Sequence, residues 1–173
     1  MLTLSLLRHA KSSWKDPSLP DHDRPLNTRG MAEAPVMGKE IAKHGLDPDL
    51  VLCSSARRTR DTLQLVLTEL KAEPKILYED DLYHASPAEM LDRLHELGSE
   101  IGQVLLIGHN PGLQAFALDL IGSGPKHLKD RIEAKLPTGG LIVLRFPAGG
   151  WKDIAINGGK LELFLTPSDV KWS

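Results

Sequence analysis

Two histidines and a few arginines stand where apolar runs end. Leu2 to Leu7 is a mostly apolar run of strand length that stops at Arg8-His9 and passes into Ala10-Lys11-Ser12-Ser13, small and polar residues suited to a loop. Asp49 to Cys53 is a second such run, followed by Ser54-Ser55-Ala56-Arg57-Arg58-Thr59 at the entry to a helix. Gln103 to Ile107 is another, and it breaks at Gly108-His109-Asn110-Pro111. Across the three polar segments no acid appears before Asp61.

This set narrows the chemistry. Two histidines without carboxylates or thiolates make a poor seat for a catalytic divalent metal, so no metal and no cofactor is expected. No glycine-rich GxGxxG or GxxxxGK loop is present to cradle a nucleotide. Arginines on a crevice rim suit a phosphate instead, whose oxygens accept paired N–H bonds from a guanidinium. An imidazole among those cations resists protonation, because a further positive charge is repelled there. It keeps a ring lone pair that can attack phosphorus, splitting phosphoryl transfer into two steps whose charge the arginines stabilise.

The elements that must position these residues alternate along the chain. Asp16 to Pro25 is rich in Pro and Asp and reads as loop. Asn27 or Thr28 caps a helix to about Lys43, with Gly45 just beyond it. Met31, Ala34, Met37 and Ile41 would form its apolar stripe, and Pro35 predicts a kink or a late start. A second helix is expected from about Ala56 to Leu70, and a short strand over Lys75 to Tyr78. Ser86-Pro87-Ala88-Glu89 is a capping box opening a helix to about Leu97. Asn110 caps and Pro111 begins a helix through Leu120, and Gly122 to Leu136 is mixed and partly helical. Gly140 to Phe146 and Leu161 to Leu165 read as further strands. The expected fold is α/β: a three-layer sandwich with a largely parallel central sheet, helices on both faces and an antiparallel C-terminal addition. In such a sheet the ligand lies outside the carboxyl ends of the strands, where the three polar segments converge.

Composition sets the surroundings. With 173 residues, 41% hydrophobic and 25% charged, the chain has the balance of an ordinary globular domain. A net charge of −2 argues against a nucleic-acid partner bound through a broad basic face. No apolar run reaches transmembrane length, so no membrane partner is expected. The single cysteine, Cys53, forms no internal disulfide and follows a buried run, which points to an inert core thiol and a cytoplasmic setting.

Arg8-His9-Ala10-Lys11-Ser12-Ser13-Trp14-Lys15 resembles the RHGE-containing signature of the histidine phosphatase (phosphoglycerate mutase-like) superfamily. Asp23 to Gly30 is similar to its next landmark, and Ser54 to Thr62 to its S-x-x-x-R-[AT]-x-x-T segment. Gly108 to Gly112, Leu136 to Gly140 and Thr166 to Val170 resemble the SixA-like branch of phosphohistidine phosphatases. The resemblance implies one domain over 1–173 without a cap insertion. It implies that His9 is the phosphate-accepting nucleophile, that Arg8, Arg58 (rather than Arg57) and His109 complete the phosphate pocket, and that Ser12, Lys15 and Asn110 bind substrate nearby. Ala10 and Lys11 depart from the Gly and Glu of the wider signature, and Lys15 stands where many members have Asn.

The implied activity is a metal-independent phosphatase acting on a phosphohistidine protein. The alternatives are a phosphatase or mutase of a small phosphorylated metabolite and a non-catalytic phosphate-binding module. A metabolite enzyme needs a general acid after the third strand. There Glu79, Asp80 and Asp81 read as a solvated turn, and His84 is a weak candidate. Trp14 reads as loop packing, and His22, His44, His95 and His127 as surface residues.

Overall fold

The computed structural model describes residues 1–170. Along the chain follow β1 (Leu2–Arg8), α1 (Thr28–Lys43), β2 (Leu50–Ser54), α2 (Arg57–Leu67), β3 (Lys75–Glu79), α3 (Pro87–His95), β4 (Gln103–Gly108), α4 (Gly112–Leu120), β5 (Ile121–Ser123), α5 (Lys126–Ala134), β6 (Leu141–Phe146) and β7 (Gly159–Leu165). The strands form one sheet in the order β3-β2-β4-β1-β6-β7-β5. β1 to β4 are mutually parallel, β6 opposes both β1 and β7, and β5 again runs with β7. The layered α/β expectation holds, with the antiparallel character concentrated in β6.

The apolar runs are continuous because both faces of the sheet are covered. Alternate residues separate cleanly: Leu4, Leu6, Leu52, Leu106 and Ile142 pack with Met90 and Leu94 of α3, Leu113 and Phe116 of α4, and Ile132 of α5. Leu7, Val51, Cys53, Ile107 and Val143 pack on the other face with Met37 and Ile41 of α1 and Leu63 and Val66 of α2. A strand shifted by one residue would exchange these two sets, so the packing fixes the register.

Local signals place most boundaries. Asn27 accepts from the Gly30 N–H as the cap of α1, Gly45 beyond its end has φ +66°, and the Ser86/Glu89 capping box opens α3. α1 nevertheless runs unbroken through Pro35, so the late start is not seen. The carbonyl that loses its partner belongs to Met31, which is exposed and reachable by water rather than part of the apolar stripe. At α4 the cap position is Pro111 and the helix proper starts at Gly112, while Asn110 Oδ1 still accepts from the Gln114 N–H. β5 lies inside the stretch expected to be mixed and partly helical, and its Ile121–Ser123 segment is held by pairing with β7 rather than by any local pattern.

α1 reaches the loop after β1 through Gly30. A Cβ at Gly30 would overlap the Lys11 carbonyl oxygen and crowd its nitrogen, both backbone atoms. The same Lys11 carbonyl accepts from the Asn27 N–H at 3.0 Å, and Ser12 bridges Leu26 across the loop. Gly30→Ala should therefore force the loop and helix apart at a cost of about 1–3 kcal/mol, read as a lower urea midpoint. A midpoint equal to or above the wild type's would show that the approach is not as close as described.

Candidate active site

The carboxyl ends of β1, β4 and β2 deliver the polar residues to one edge. Arg8 is paired with Gly108, and Cys53 with Ile107, so the residues that follow, His9, His109 and Ser54, emerge side by side. The His9 N–H donates to the Gly108 carbonyl at 3.2 Å. The Gly139 N–H, at φ +76°, donates to the carbonyls of both Arg8 and His9 at 3.0 Å, pinning this turn from the β6 side. The two imidazoles face each other with ring centroids 5.3 Å apart.

His9 is 6% exposed, and its Nδ1 lies 2.7 Å from the Ala10 carbonyl oxygen. A carbonyl only accepts, so Nδ1 carries the hydrogen and Nε2 keeps its lone pair. Burial, more than charge, keeps the ring neutral: it pushes the pKa from 6.5 to about 3 despite the opposing Ala10 bond, with Arg58, Arg8 and Arg24 adding repulsion. His109 is likewise lowered to about 2, by burial first and then by His9, Arg58 and His84. Its Nε2 is 2.7 Å from Ser54 Oγ, whose hydroxyl can donate to it.

Arg57 and Arg58 point about 100° apart at the start of α2. Arg57 faces solvent, with Nε 3.5 Å from Asp61, whereas Arg58 is 4% exposed and faces the histidines. Thr62 anchors this helix to the β1 loop, donating to the Arg58 carbonyl at 2.7 Å and accepting from the Ala10 N–H at 3.0 Å. Arg8 Nη1 donates to the Leu136 carbonyl at 2.9 Å. Among the described residues, Arg8 Nε, Arg58 Nε and His109 Nδ1 are buried without a hydrogen-bond partner. Burial and the neighbouring Arg58 charge also lower the Arg8 pKa, so an anion at this point would relieve both.

Asp21, in the loop read only as Pro- and Asp-rich, organises the rim. Its carboxylate accepts from Arg24 Nε at 3.0 Å, from Arg58 Nη2 at 3.1 Å and from the Tyr83 hydroxyl, while its carbonyl accepts from Arg58 Nη1 at 2.8 Å. Burial raises its pKa, but these bonds and the Arg58 charge outweigh that and hold the carboxyl well below its usual range. The Asp21–Arg24 spacing of three was visible in the sequence, but the contacts to Arg58 and Tyr83 span 37 and 62 residues and carried no sequence signal. His84, with φ +59°, lies on the rim with Nε2 3.7 Å from Asp21 and its ring 5.8 Å from that of His109.

Other expected site residues divide. Asn110 adjoins His109, spending its amide on the Leu136 carbonyl and the start of α4. Ser12 is buried one step back, where its Oγ accepts from Arg24 at 2.9 Å. Lys15 is exposed and lines a hollow with Ser13, Asn27 and Arg29, whereas His109 lines another with His84 and Asn110. Glu79 is not a free solvated charge but forms a double hydrogen bond with Arg93 of α3. His22 is not simply on the surface: its Nε2 lies 2.9 Å from Ser55 Oγ and its ring stands edge-on to Tyr83. Trp14 is 72% exposed rather than packed into the loop, and the Arg24 guanidinium lies over its ring. Cys53 is fully buried, and burial pushes its thiol up to about 12, which suits an inert core residue.

The two depressed imidazoles predict acid sensitivity. In the unfolded chain both titrate near 6.5, whereas in the fold His9 protonates near 3 and His109 near 2. Between these values the unfolded state binds more protons, so stability rises with pH and is lost as pH falls. Urea midpoints should drop steadily from about pH 6.5 downward, and His9→Asn should flatten that dependence. A profile without slope in this window would mean that the rings are not held neutral.

The profile of the histidine phosphatase superfamily (branch 1) matches residues 4–83. An uncharacterized protein of Mycobacterium tuberculosis is 37% identical, aligned over 93% of this chain and 99% of its own. A solved structure from Agrobacterium tumefaciens, provisionally described as the phosphohistidine phosphatase SixA, is 33% identical with a TM-score of 0.81, covering 96% of this chain and 98% of that one. A second, provisionally described in the same way, from Nakamurella multipartitia, is 29% identical with a TM-score of 0.81 and 96% coverage of both chains. With identities of this size over nearly the whole length and the superfamily profile over the region that carries His9 and Arg58, the protein belongs to the histidine phosphatase superfamily, in its SixA-like branch.

Proposed function

We propose that the protein is a metal-independent phosphatase that removes phosphate from a phosphohistidine protein through a covalent intermediate on His9. The observation that carries this reading is the set of buried, unpartnered nitrogens on Arg8, Arg58 and His109 around the free Nε2 of His9. A buried donor without a partner costs about 1–3 kcal/mol, so three together favour a ligand that supplies acceptor oxygens. Relatives described as phosphohistidine phosphatases support the substrate class. We also propose that 1–173 acts as one catalytic domain without a cap and that it works in the cytoplasm.

In the first step the His9 Nε2 lone pair forms a bond to phosphorus while the bond from phosphorus to the substrate nitrogen breaks and its electron pair returns to that nitrogen. A substrate imidazole already protonated on its other nitrogen leaves neutral, so it needs no strong general acid. Arg8 and Arg58 hold the equatorial oxygens, and His109, with Ser54 donating to its Nε2, offers its Nδ1–H. Water then forms the new P–O bond as the P–Nε2 bond breaks, leaving inorganic phosphate and neutral His9. The arginines supply the positive charge that a metal would otherwise bring, and among the described residues no three His, Cys, Asp or Glu side chains are grouped to hold one.

A phosphohistidine protein labelled in its phosphoryl group should give a base-stable, acid-labile adduct on rapid quenching. The adduct should be absent in His9→Ala and unaffected by prior chelation. Full turnover by His9→Ala, or faster turnover of sugar or glycerate phosphates than of phosphohistidine, would overturn the reading.

The two adjacent arginines give an internal control. Arg58→Ala should lower kcat by about 10²–10³-fold, as for loss of an oxyanion-hole donor. Arg57→Ala should keep the wild-type rate, because Arg57 lies at the surface beside Asp61. Equal losses in steady-state assays would contradict the placement of Arg58.

A further inference from the structure

We infer that the loop after β1 docks an acidic, partly apolar segment of the substrate protein, on Trp14 with Lys11 and Lys15 and on the adjoining Met31 of α1. The partner is the phosphohistidine protein proposed above, so the docking surface rests on that reading. Trp14 is 72% exposed and Met31 52%, and Met31 shares a hollow with Ser13, Lys15 and Arg29. The Trp14 ring is not loose, because the Arg24 guanidinium lies 3.5 Å from its centroid. Arg24 is itself buried and fixed, donating to Ser12 Oγ at 2.9 Å, to the Ser13 carbonyl at 3.2 Å and to Asp21 at 3.0 Å. Asp21 also accepts from Arg58 at 3.1 Å, so one chain of hydrogen bonds joins the Trp14 platform to the candidate active site.

The charges around the ring select the partner. Lys11 and Lys15 are exposed, and among the described residues the lysines in ion pairs are Lys126 and Lys160, not these two. The nearby acids are engaged: Asp16 accepts from the Ser18 N–H and hydroxyl, and Glu33 accepts from Arg29. An aromatic face attracts a cation, but this ring already carries Arg24 on its inner face, and that charge opposes a second cation outside. An apolar side chain therefore suits the open face, and carboxylates suit the two lysines. A Lys- or Arg-rich segment is disfavoured on both counts. An anionic membrane is the other surface that exposed Trp and Lys side chains could meet. Such attachment draws on clusters of roughly four to eight basic residues, and this loop presents only Lys11 and Lys15.

The test compares two phosphohistidine peptides of equal length, one flanked by Asp, Glu and Leu and one by Lys, with phosphoramidate as the small substrate. At low salt the wild type should favour the acidic peptide by about tenfold in kcat/KM, the order expected of two exposed ion pairs. The preference should fade as salt screens them. Lys11→Glu should erase most of it, and Trp14→Ala should raise KM for the acidic peptide by about fivefold. Both variants should keep the wild-type rate on phosphoramidate. Equal kcat/KM for the two peptides, or a preference that Lys11→Glu leaves intact, overturns the docking assignment. A loss in Trp14→Ala as large on phosphoramidate as on the acidic peptide also overturns it, and makes Trp14 a support for Arg24 instead. Sedimentation of the wild type, but not of Trp14→Ala, with phosphatidylserine vesicles would assign the loop to a membrane and overturn the protein partner. A wild-type enzyme inert on phosphoramidate and on both peptides would instead remove the phosphatase reading, and the docking assignment with it.

Discussion

The ladder between β1 and β4 pairs Arg8 with Gly108 and Leu7 with Ile107, and the meeting of the two histidines follows from that register. Each histidine is the first residue past its strand, so parallel strands in this alignment release both rings at the same level. β2 adds Ser54 beside them, because Cys53 pairs with Ile107. The register is held from both faces, since Leu6 and Leu7 belong to different cores. A slip of one residue would bury Arg8 and bring apolar side chains to the edge, so the site and the core are stabilised by the same alignment.

Placing guanidiniums at that edge creates an electrostatic problem that the loops resolve unevenly. Arg24 and part of Arg58 are neutralised by Asp21, whose carboxylate is steadied in turn by the Tyr83 hydroxyl. Arg8 has only the Leu136 carbonyl, and the Nε atoms of Arg8 and Arg58 have no partner among the described residues. The fold therefore concentrates positive charge at one buried point rather than over a general surface, in a chain whose net charge is −2. The histidines inside it stay neutral mainly because they are buried, with the arginines as the smaller cause. Positive charge and neutral imidazoles thus share one place for different reasons.

Access to this centre is divided between two sides. Asp21, Tyr83 and His22 meet at the rim next to Arg58. Beyond His109 the rim opens between two proline-bearing helix ends, where Ala85 and Ala115 stand beside His84, Ser86 and Asn110. The division follows from how the helices are anchored. α2 is tied to the β1 loop through Thr62, while the bare backbone of Gly112 at the start of α4 packs against the Ala85 carbonyl, just before α3.

The sequence by itself determined the layered fold, because runs buried on both faces, helix caps and the alternation of element types are local patterns. Its motifs also singled out Arg8, His9, Arg58 and His109 as candidate site residues, Arg58 over Arg57 through the resemblance to the histidine phosphatase signature. It could not show which charges meet. Asp21 reads as one more polar loop residue, and only the fold carries it across 37 positions to Arg58 and across 62 to Tyr83. Glu79 reads in sequence as a solvated charge because its partner, Arg93, lies in the next helix. Lys15 belongs to the motif in sequence, yet it is exposed in a hollow with Ser13, Asn27 and Arg29. β5 was invisible because a three-residue strand has no periodicity of its own and exists through its pairing with β7. Local pattern fixes the longer elements and what they carry, but the balance of charge and burial at their junction depends on distances that the tertiary structure alone sets.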